Sequence, residues 1–455
     1  MVAGEIYEVG FTDVIAKTGQ SVGRVNGMVV FTLGPLPGER ARVRVTSVKA
    51  NYAVGELVEL LETSADRVEP FCAVFGRCGG CQVQHLAYDA QLAWKRRIVA
   101  DALRRIGGLG DVRVLPARGM AIPRNYRNKM SLVVGGAPGA RELGFYHAGT
   151  HDLVPVHTCP IVMDELDATI GALWEIAADP ATADAFDDAR HVVARVGRAS
   201  RRVVVSVSSR ESSPALRRQA ERVAARLPQT VGLCNSFEPA SENAVLGREH
   251  TVLVGEGDID ETIDGVHFRV SSGSFFQVNS LMVGEIFRFL QPFVPQNRIV
   301  VDLYCGAGTF SLFFANHGAR VVGVEENPYA VGEAIRNAER NGLHDKVAFL
   351  SGRVERRLQI EPAKSMLASA EVAFLDPPRK GSDEATLDAI VAACPPRIWY
   401  LSCNPSTLAR DLARLVAGGY RLNVVQPFDM FPHTGHVEAL ALLDAPGIAA
   451  LDVAS

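Results

Sequence analysis

Residues 298–312 read RIVVDLYCGAGTFSL. A continuous apolar run breaks at a turn holding two glycines, and apolar residues at helical spacing follow. The stretch therefore predicts a buried strand, a tight turn and a helix. From about residue 281 onward the same unit recurs. Further strands are predicted at RVVGVEE (320–326), KVAFLSG (346–352), EVAFLDPP (371–378) and RIWYLSC (397–403). The helices TFSLFFANHG, PYAVGEAIRNAERNG, EATLDAIVAACP and STLARDLARLVAGG fall between or after them. Near-continuous apolar strands alternating with helices specify an α/β fold whose parallel sheet is covered on both faces. The last two strands, LNVVQPFDMF (422–431) and HVEALALLD (436–444), follow one another without a helix, which predicts an antiparallel pair at the end of the sheet.

Upstream the pattern changes. Up to about residue 66, short strands are punctuated by turns such as Asn26-Gly27 and Pro37-Gly38, the pattern of a small, closed, OB-like β-barrel. A loop with three cysteines, FCAVFGRCGGC (71–81), then runs into an amphipathic helix. Its apolar face is expected at Leu92, Ile98, Val99, Leu103 and Ile106, and Gly107-Gly108 supplies the stop. Residues 112 to about 270 mix strands and helices as an α+β central domain, with AADPATADAFDDA (177–189) expected as a surface insertion. The expected division is thus 1–66, 67–274 and 275–455.

A chain of 455 residues exceeds one ordinary core. Its 47% hydrophobic and 22% charged residues are those of a soluble globular protein. No apolar run has the length of a membrane span, and the opening MVAGEIYEVG lacks the basic-then-apolar layout of a secretory signal. A cytoplasmic location without a membrane partner is expected. The formal charge of -4 carries no global signature of nucleic-acid binding. Locally, however, Lys95, Arg96, Arg97, Arg104, Arg105, Arg113, Arg118, Arg124, Arg127 and Lys129 stand against only Asp101 and Asp111, a surplus expected to line a phosphate-binding face.

The chemistry gathers at the strand ends. The glycine turn after the first parallel strand lets a ligand approach the backbone, and the next strand ends at Glu325, whose carboxylate can accept from both ribose hydroxyls. DLYCGAGTF lacks the third glycine of a dinucleotide fingerprint, and no Gly-Lys-Ser of a triphosphate loop is present, so S-adenosylmethionine leads among nucleoside-bearing cofactors. DPPRKG places Asp376 on a rigid turn at the same edge. One strand further, Cys403 stands where Asn404-Pro405 breaks the chain and a helix restarts behind a Ser406 or Thr407 cap. A thiolate there is a soft nucleophile within reach of a substrate beside the cofactor. C5 of a uracil is not basic enough to attack a methyl sulfonium, but thiolate addition at C6 turns C5 into an enolate carbon. The adduct then needs a base for the C5 proton. Glu438, the carboxylate that interrupts the apolar run HVEALALL, is the candidate.

Eight cysteines in a reducing compartment are read as core, ligand or nucleophile rather than as disulfides. Cys72, Cys78, Cys81 and the distant Cys159 suit either zinc or an iron-sulfur cluster as a donor set, and the C-x5-C-x2-C spacing is not that of a radical S-adenosylmethionine enzyme. Cys234, Cys305 and Cys394 are left for the core.

SSGSFFQVN (271–279), DLYCGAGTFSL, DPPRKG, LSCNPSTLARDL and HVEALALL, in this order and spacing, closely resemble the RNA uridine C5-methyltransferase family. The resemblance implies a Rossmann-like class I methyltransferase domain, with Cys403 as nucleophile and Glu438 as proton acceptor. It implies Gln277, Tyr304, Glu325 and Asp376 as contacts of S-adenosylmethionine. Thr309 and Arg353 depart from the residues common in the family, so no donor contact is expected of them. The resemblance extends to residues 1–66 as a TRAM RNA-binding barrel. It also implies Cys72, Cys78, Cys81 and Cys159 as ligands of a 4Fe-4S cluster with a folding or RNA-positioning role. The implied partner of a monomeric chain is structured RNA, 23S ribosomal RNA ahead of transfer RNA.

Overall fold

The computed structural model describes residues 1–239 and 245–451, so positions 240–244 of the expected central domain and 452–455 of the C-terminal one lie outside the described residues. Strands β1 (Ile6–Val14), β2 (Gln20–Val25), β3 (Met28–Leu33), β4 (Arg40–Val48) and β5 (Tyr52–Glu62) close into a barrel in the order β1-β2-β3-β5-β4. Alternate residues Val9, Phe11, Val30, Ala41 and Val43 fill it. Asn26 and Gly27 both take positive φ, the two-residue turn that matches strand twist in a hairpin.

Helix α1 (Tyr88–Arg105) and the two-residue strand β6 (Arg113–Val114) follow. Next come β7 (Lys129–Ala137), β8 (Ala140–Tyr146), β9 (Leu153–Pro155), α2 (Asp164–Ala178), β10 (Ala189–Val196), β11 (Val203–Ser209), α3 (Pro214–Arg226), β12 (Thr230–Pro239) and β13 (Gly247–Gly255). Their strands form a sheet of order β13-β12-β11-β10-β7-β8-β9, antiparallel except for β11 and β12. The stretch 177–189 is not a surface insertion. It carries a single 3₁₀ turn whose Ala185 and fully buried Phe186 plug the same core as α2 and α3, because the turn packs against both helices and against β8.

The hairpin β14 (Asp258–Ile263) and β15 (Val266–Ser271) leads to α4 (Ser280–Leu290). The C-terminal sheet then builds from β16 (Ile299–Leu303), α5 (Thr309–Asn316), β17 (Arg320–Glu325), α6 (Pro328–Arg340), β18 (Val347–Ser351), α7 (Val354–Arg357), α8 (Ala363–Ala368), β19 (Val372–Leu375), α9 (Glu384–Ala393), β20 (Arg397–Ser402), α10 (Pro405–Ala417), β21 (Arg421–Phe428) and β22 (Glu438–Asp444). The order is β18-β17-β16-β19-β20-β22-β21-β6. Strands β18 to β20 are parallel, and β22 runs antiparallel between β20 and β21. Within one strand, neighbours serve opposite faces: Phe374 and Trp399 meet Phe314 of α5, while Leu375 and Tyr400 join Leu387 of α9 and Leu412 of α10. No described helix is long and apolar enough to cross a membrane.

Several expectations change on folding. Helix α1 buries Gln91, Trp94, Lys95, Val99 and Leu103, while Ile106 is half exposed at its end. Lys95, expected on a phosphate-binding face, is fully buried. Its Nζ donates to Asp429 at 2.5 Å and to the Phe431 carbonyl at 2.9 Å. Arg104 and Arg105 pair with Asp101, Arg96 donates to the Val114 carbonyl, Arg118 lies over the Phe289 ring, and Lys129 is partly buried with its amine drawn down to about 8 by desolvation. Cys234 and Cys305 are buried as expected, but Cys394 is exposed because it caps α9 in the left-handed region. Removing one partner of a buried pair strands the other charge, so Lys95→Ala is expected to cost about 3–5 kcal/mol of stability, read from urea unfolding of the full chain.

Candidate active site

The topology brings most of the expected residues to one edge. Tyr304, Glu325, Asp376 and Cys403 follow or end β16, β17, β19 and β20, whose parallel arrangement puts all four carboxyl ends together. Glu438 arrives by the opposite route. It opens β22, which runs antiparallel to β20 with Ala439 opposite Ser402, so the carboxylate stands beside Cys403.

Each loop is shaped locally. Tyr304 sits at φ 66, a conformation costly for a residue with a β-carbon and concentrated at functional sites. Gly308, at φ 83, is also tight for one: a Cβ would stand 3.1 Å from that of Ala334. The Glu325 carboxylate accepts the Gly306 N–H at 3.1 Å on one oxygen and the Asn327 N–H at 2.8 Å on the other. One lone pair on each oxygen is left for the two hydroxyls of a ribose. Gln277 lies in the segment between β15 and α4, where its carbonyl accepts from Asn128 Nδ2 at 3.1 Å. Arg353 pairs with Glu355 and Thr309 begins α5.

Around Cys403 the expected cap shifts by two or three residues. Asn404, not Ser406 or Thr407, caps α10: its Oδ1 accepts the Ser406 N–H at 3.1 Å, and Pro405 takes the first helical position, where no donor is needed. Asn404 Nδ2 also donates to the Arg379 carbonyl at 2.9 Å, fastening the DPPRKG turn to the cysteine loop. That turn is held from behind, since Asp411 accepts from Tyr400 at 2.6 Å and from the Ser382 N–H at 2.9 Å.

The electrostatics are one-sided. Burial, then Glu438 and Asp376, push the Cys403 thiol up to about 11. Burial, then Asp376, raises Glu438 to about 8, and burial raises Asp376 to about 7. Asp302, buried beneath them, is raised to about 8 by burial first. Arg379 opposes these shifts at both Cys403 and Glu438. Sequence reasoning missed Arg379, although it stands in the quoted DPPRKG. The available signal was a cation two residues beyond the turn's first proline. Carboxyl groups crowded around a thiol at this edge favour a positively charged neighbour.

The four other cysteines lie elsewhere. Cys72, Cys78, Cys81 and Cys159 are half-buried and line one cavity of about 710 Å³ between the barrel and the central sheet, with Arg127 in its wall. Burial raises Cys81 to about 12 and Cys159 to about 11, and in each case neighbouring cysteines add to the effect. Among the described residues no three His, Cys, Asp or Glu side chains close round a single metal ion.

Comparison with known proteins extends this geometry. The family model described as tRNA (Uracil-5-)-methyltransferase matches residues 248–445, and that of the TRAM domain matches residues 3–58. A protein of Thermosynechococcus vestitus named "Uncharacterized RNA methyltransferase" is 40% identical, covering 95% of this chain and 96% of its own. One of the same description from Halalkalibacterium halodurans is 38% identical over 97% of both chains. Among solved structures, Pyrococcus abyssi tRNA (uracil-54, C5)-methyltransferase in complex with S-adenosyl-L-homocysteine matches with a TM-score of 0.73 at 25% identity, covering 96% of this chain and 100% of that one.

Proposed function

Because the chain belongs to the RNA (uracil-5-)-methyltransferase family, in which S-adenosylmethionine is the methyl donor, we propose that it methylates C5 of a uridine in structured RNA through a covalent adduct at Cys403. The observation that carries this reading is the antiparallel return of β22, which sets Glu438 next to Cys403 at the edge where Glu325 and Asp376 end their strands. The Cys403 thiol gives up its proton to solvent, favoured by the Arg379 cation that opposes its upward shift, and the sulfur adds to C6 as the C5=C6 electron pair moves toward O4. Bound S-adenosylmethionine supplies an electrophilic methyl group to the enolate carbon so formed. Glu438 then takes the C5 proton, the electron pair re-forms C5=C6, and the thiolate leaves. A carboxylate raised to about 8 is a stronger base than an ordinary one, which suits this step. Gln277, Tyr304, Glu325 and Asp376 hold the donor, with Glu325 on the ribose.

The raised carboxyl groups make donor binding pH-dependent. As pH rises through about 7 to 8, Asp376 and Glu438 lose protons and gain the charge that attracts a sulfonium. Affinity for S-adenosylmethionine is expected to rise about tenfold from pH 6 to pH 9. S-adenosylhomocysteine, a neutral thioether, should change far less in the same titration calorimetry.

Cys72, Cys78, Cys81 and Cys159 are assigned to a 4Fe-4S cluster, a reading supported by the four thiols that line one cavity and by the resemblance of their spacing. The as-purified protein is expected to be brown, with iron and sulfide near about four per chain. Stoichiometric zinc without visible absorbance after anaerobic purification would overturn the assignment. The cytoplasmic substrate is assigned to 23S ribosomal RNA, on the resemblance to the TRAM-bearing branch of the family. Full-length similarity to a tRNA enzyme favours transfer RNA as the second reading. Mass mapping of 5-methyluridine in ribosomal and transfer RNA, from cells with and without the gene, decides between them, and loss from neither would sink the activity.

A further inference from the structure

The segment 429–437 joins β21 to β22 and so leads into Glu438, yet its bonds come largely from far upstream. Besides Lys95 on Asp429 and Phe431, the Asn279 amide donates to the Met430 carbonyl at 3.0 Å and the Tyr126 hydroxyl to the Pro432 carbonyl at 3.2 Å. The grip is tightest at His433, which is 4% exposed and sits at φ 67. Its N–H donates to Gln91 Oε1 at 3.0 Å, Gln91 Nε2 lies 3.2 Å from its Nδ1, and its Nε2 lies 2.8 Å from the Pro123 carbonyl. These partners fit one tautomer, with the proton on Nε2. Its own carbonyl accepts the N–H groups of Gln82 and Val83, each at 3.0 Å. The Phe71 ring meets the imidazole edge-on at 4.9 Å.

Phe71 precedes Cys72 and Gln82 follows Cys81, so both ends of the cysteine loop rest on this one residue. A non-glycine residue in the left-handed region persists only where its surroundings over-determine it. Every polar group of His433 is engaged here. Two residues on, Gly435 lies so close to Ala16 of the barrel that a β-carbon would meet its carbonyl oxygen. Cys403 stands outside this arrangement, being set by Ser402 and Asn404 on β20 and α10.

The geometry points to His433 as a positioning residue that couples the cysteine loop to the segment carrying Glu438, so that loosening either side displaces the base and leaves the nucleophile in place. The inference rests on the reading of Glu438 as base given above, and its test has an arm independent of that reading. Three variants of the full chain serve. His433→Asn tolerates the left-handed backbone but loses the bridge from Gln91 to Pro123. Gln91→Leu removes the side-chain bonds alone and keeps the test available should His433→Asn not fold. Phe71→Leu removes the ring that meets the imidazole and loosens the loop from its other side.

Hydrogen exchange over residues 433–439 is expected to quicken by about tenfold or more in each variant, while β20 and α10 keep their rates, as for a local opening. With a minimal RNA and S-adenosylmethionine, the share of enzyme held as protein–RNA adduct should rise several-fold toward that of Glu438→Gln, with donor and RNA affinities unchanged. Unchanged exchange over 433–439 in folded His433→Asn and Gln91→Leu overturns the coupling. So does a parallel loss of adduct formation and product release, which marks general damage. Normal turnover by Glu438→Gln would instead remove the base reading, with the exchange arm still deciding the coupling.

Discussion

The Cys403→Ala protein is expected to bind donor and RNA and to transfer no methyl group. Without the thiolate, C5 never becomes an enolate carbon, so the loss in kcat should be on the order of 10⁴-fold or more, as when a covalent nucleophile is removed elsewhere. The fold should barely notice. Cys403 is half-buried at a strand end, the loop is fixed by Asn404 and Ser402, and loss of one sulfur there is worth about 1 kcal/mol or less. A filter assay for methyl transfer, with donor affinity measured in parallel, checks both halves. Residual methylation near the wild-type rate would show that the adduct is not on the path.

Glu438→Gln separates the steps. The amide keeps the shape but cannot take the C5 proton, so addition and methylation proceed and elimination slows by about 10²–10⁴-fold. A methylated protein–RNA adduct should then survive denaturing electrophoresis, and Cys403→Ala should give none. The same variant makes a stability prediction of definite sign. Burial raises the carboxyl of Glu438 to about 8 in the folded chain, so the wild type loses stability as pH climbs from its ordinary range through 8. Glutamine has no such loss. The variant's melting temperature should pull ahead of wild type between about pH 5 and pH 9. Equal melting temperatures across that range would mean the carboxyl is not held in an apolar setting.

The sheet and its edge were legible because periodicity reports directly on them. Five apolar runs ending in polar residues place Tyr304, Glu325, Asp376 and Cys403 together once the strands are parallel, and an uninterrupted pair of strands returns Glu438 to the same edge. What the sequence hid were contacts between distant parts. Lys95 reads as solvent-facing because charge on a helix usually is, and its partner Asp429 stands 334 residues away. Strand β6 is two residues long, too short for any pattern, yet it extends the C-terminal sheet from within the expected central domain. Phe186 was lost among Asp, Ala and Pro because one aromatic residue makes no period. His433 lies in a turn, and a turn's tertiary bonds leave no trace in spacing.

The placement of β22 also bears on how the enzyme comes to life. It is the last strand to be synthesised, but it lies inside the sheet, between β20 and β21, rather than at its margin. Domains fold as the chain emerges, and here vectorial order fails at one strand. While β22 is still being made, β21 has no neighbour but the two residues of β6, and Cys403 lacks the Glu438 carboxylate. Until this last described strand lies between β20 and β21, the chain therefore holds the proposed nucleophile without the base proposed to release it.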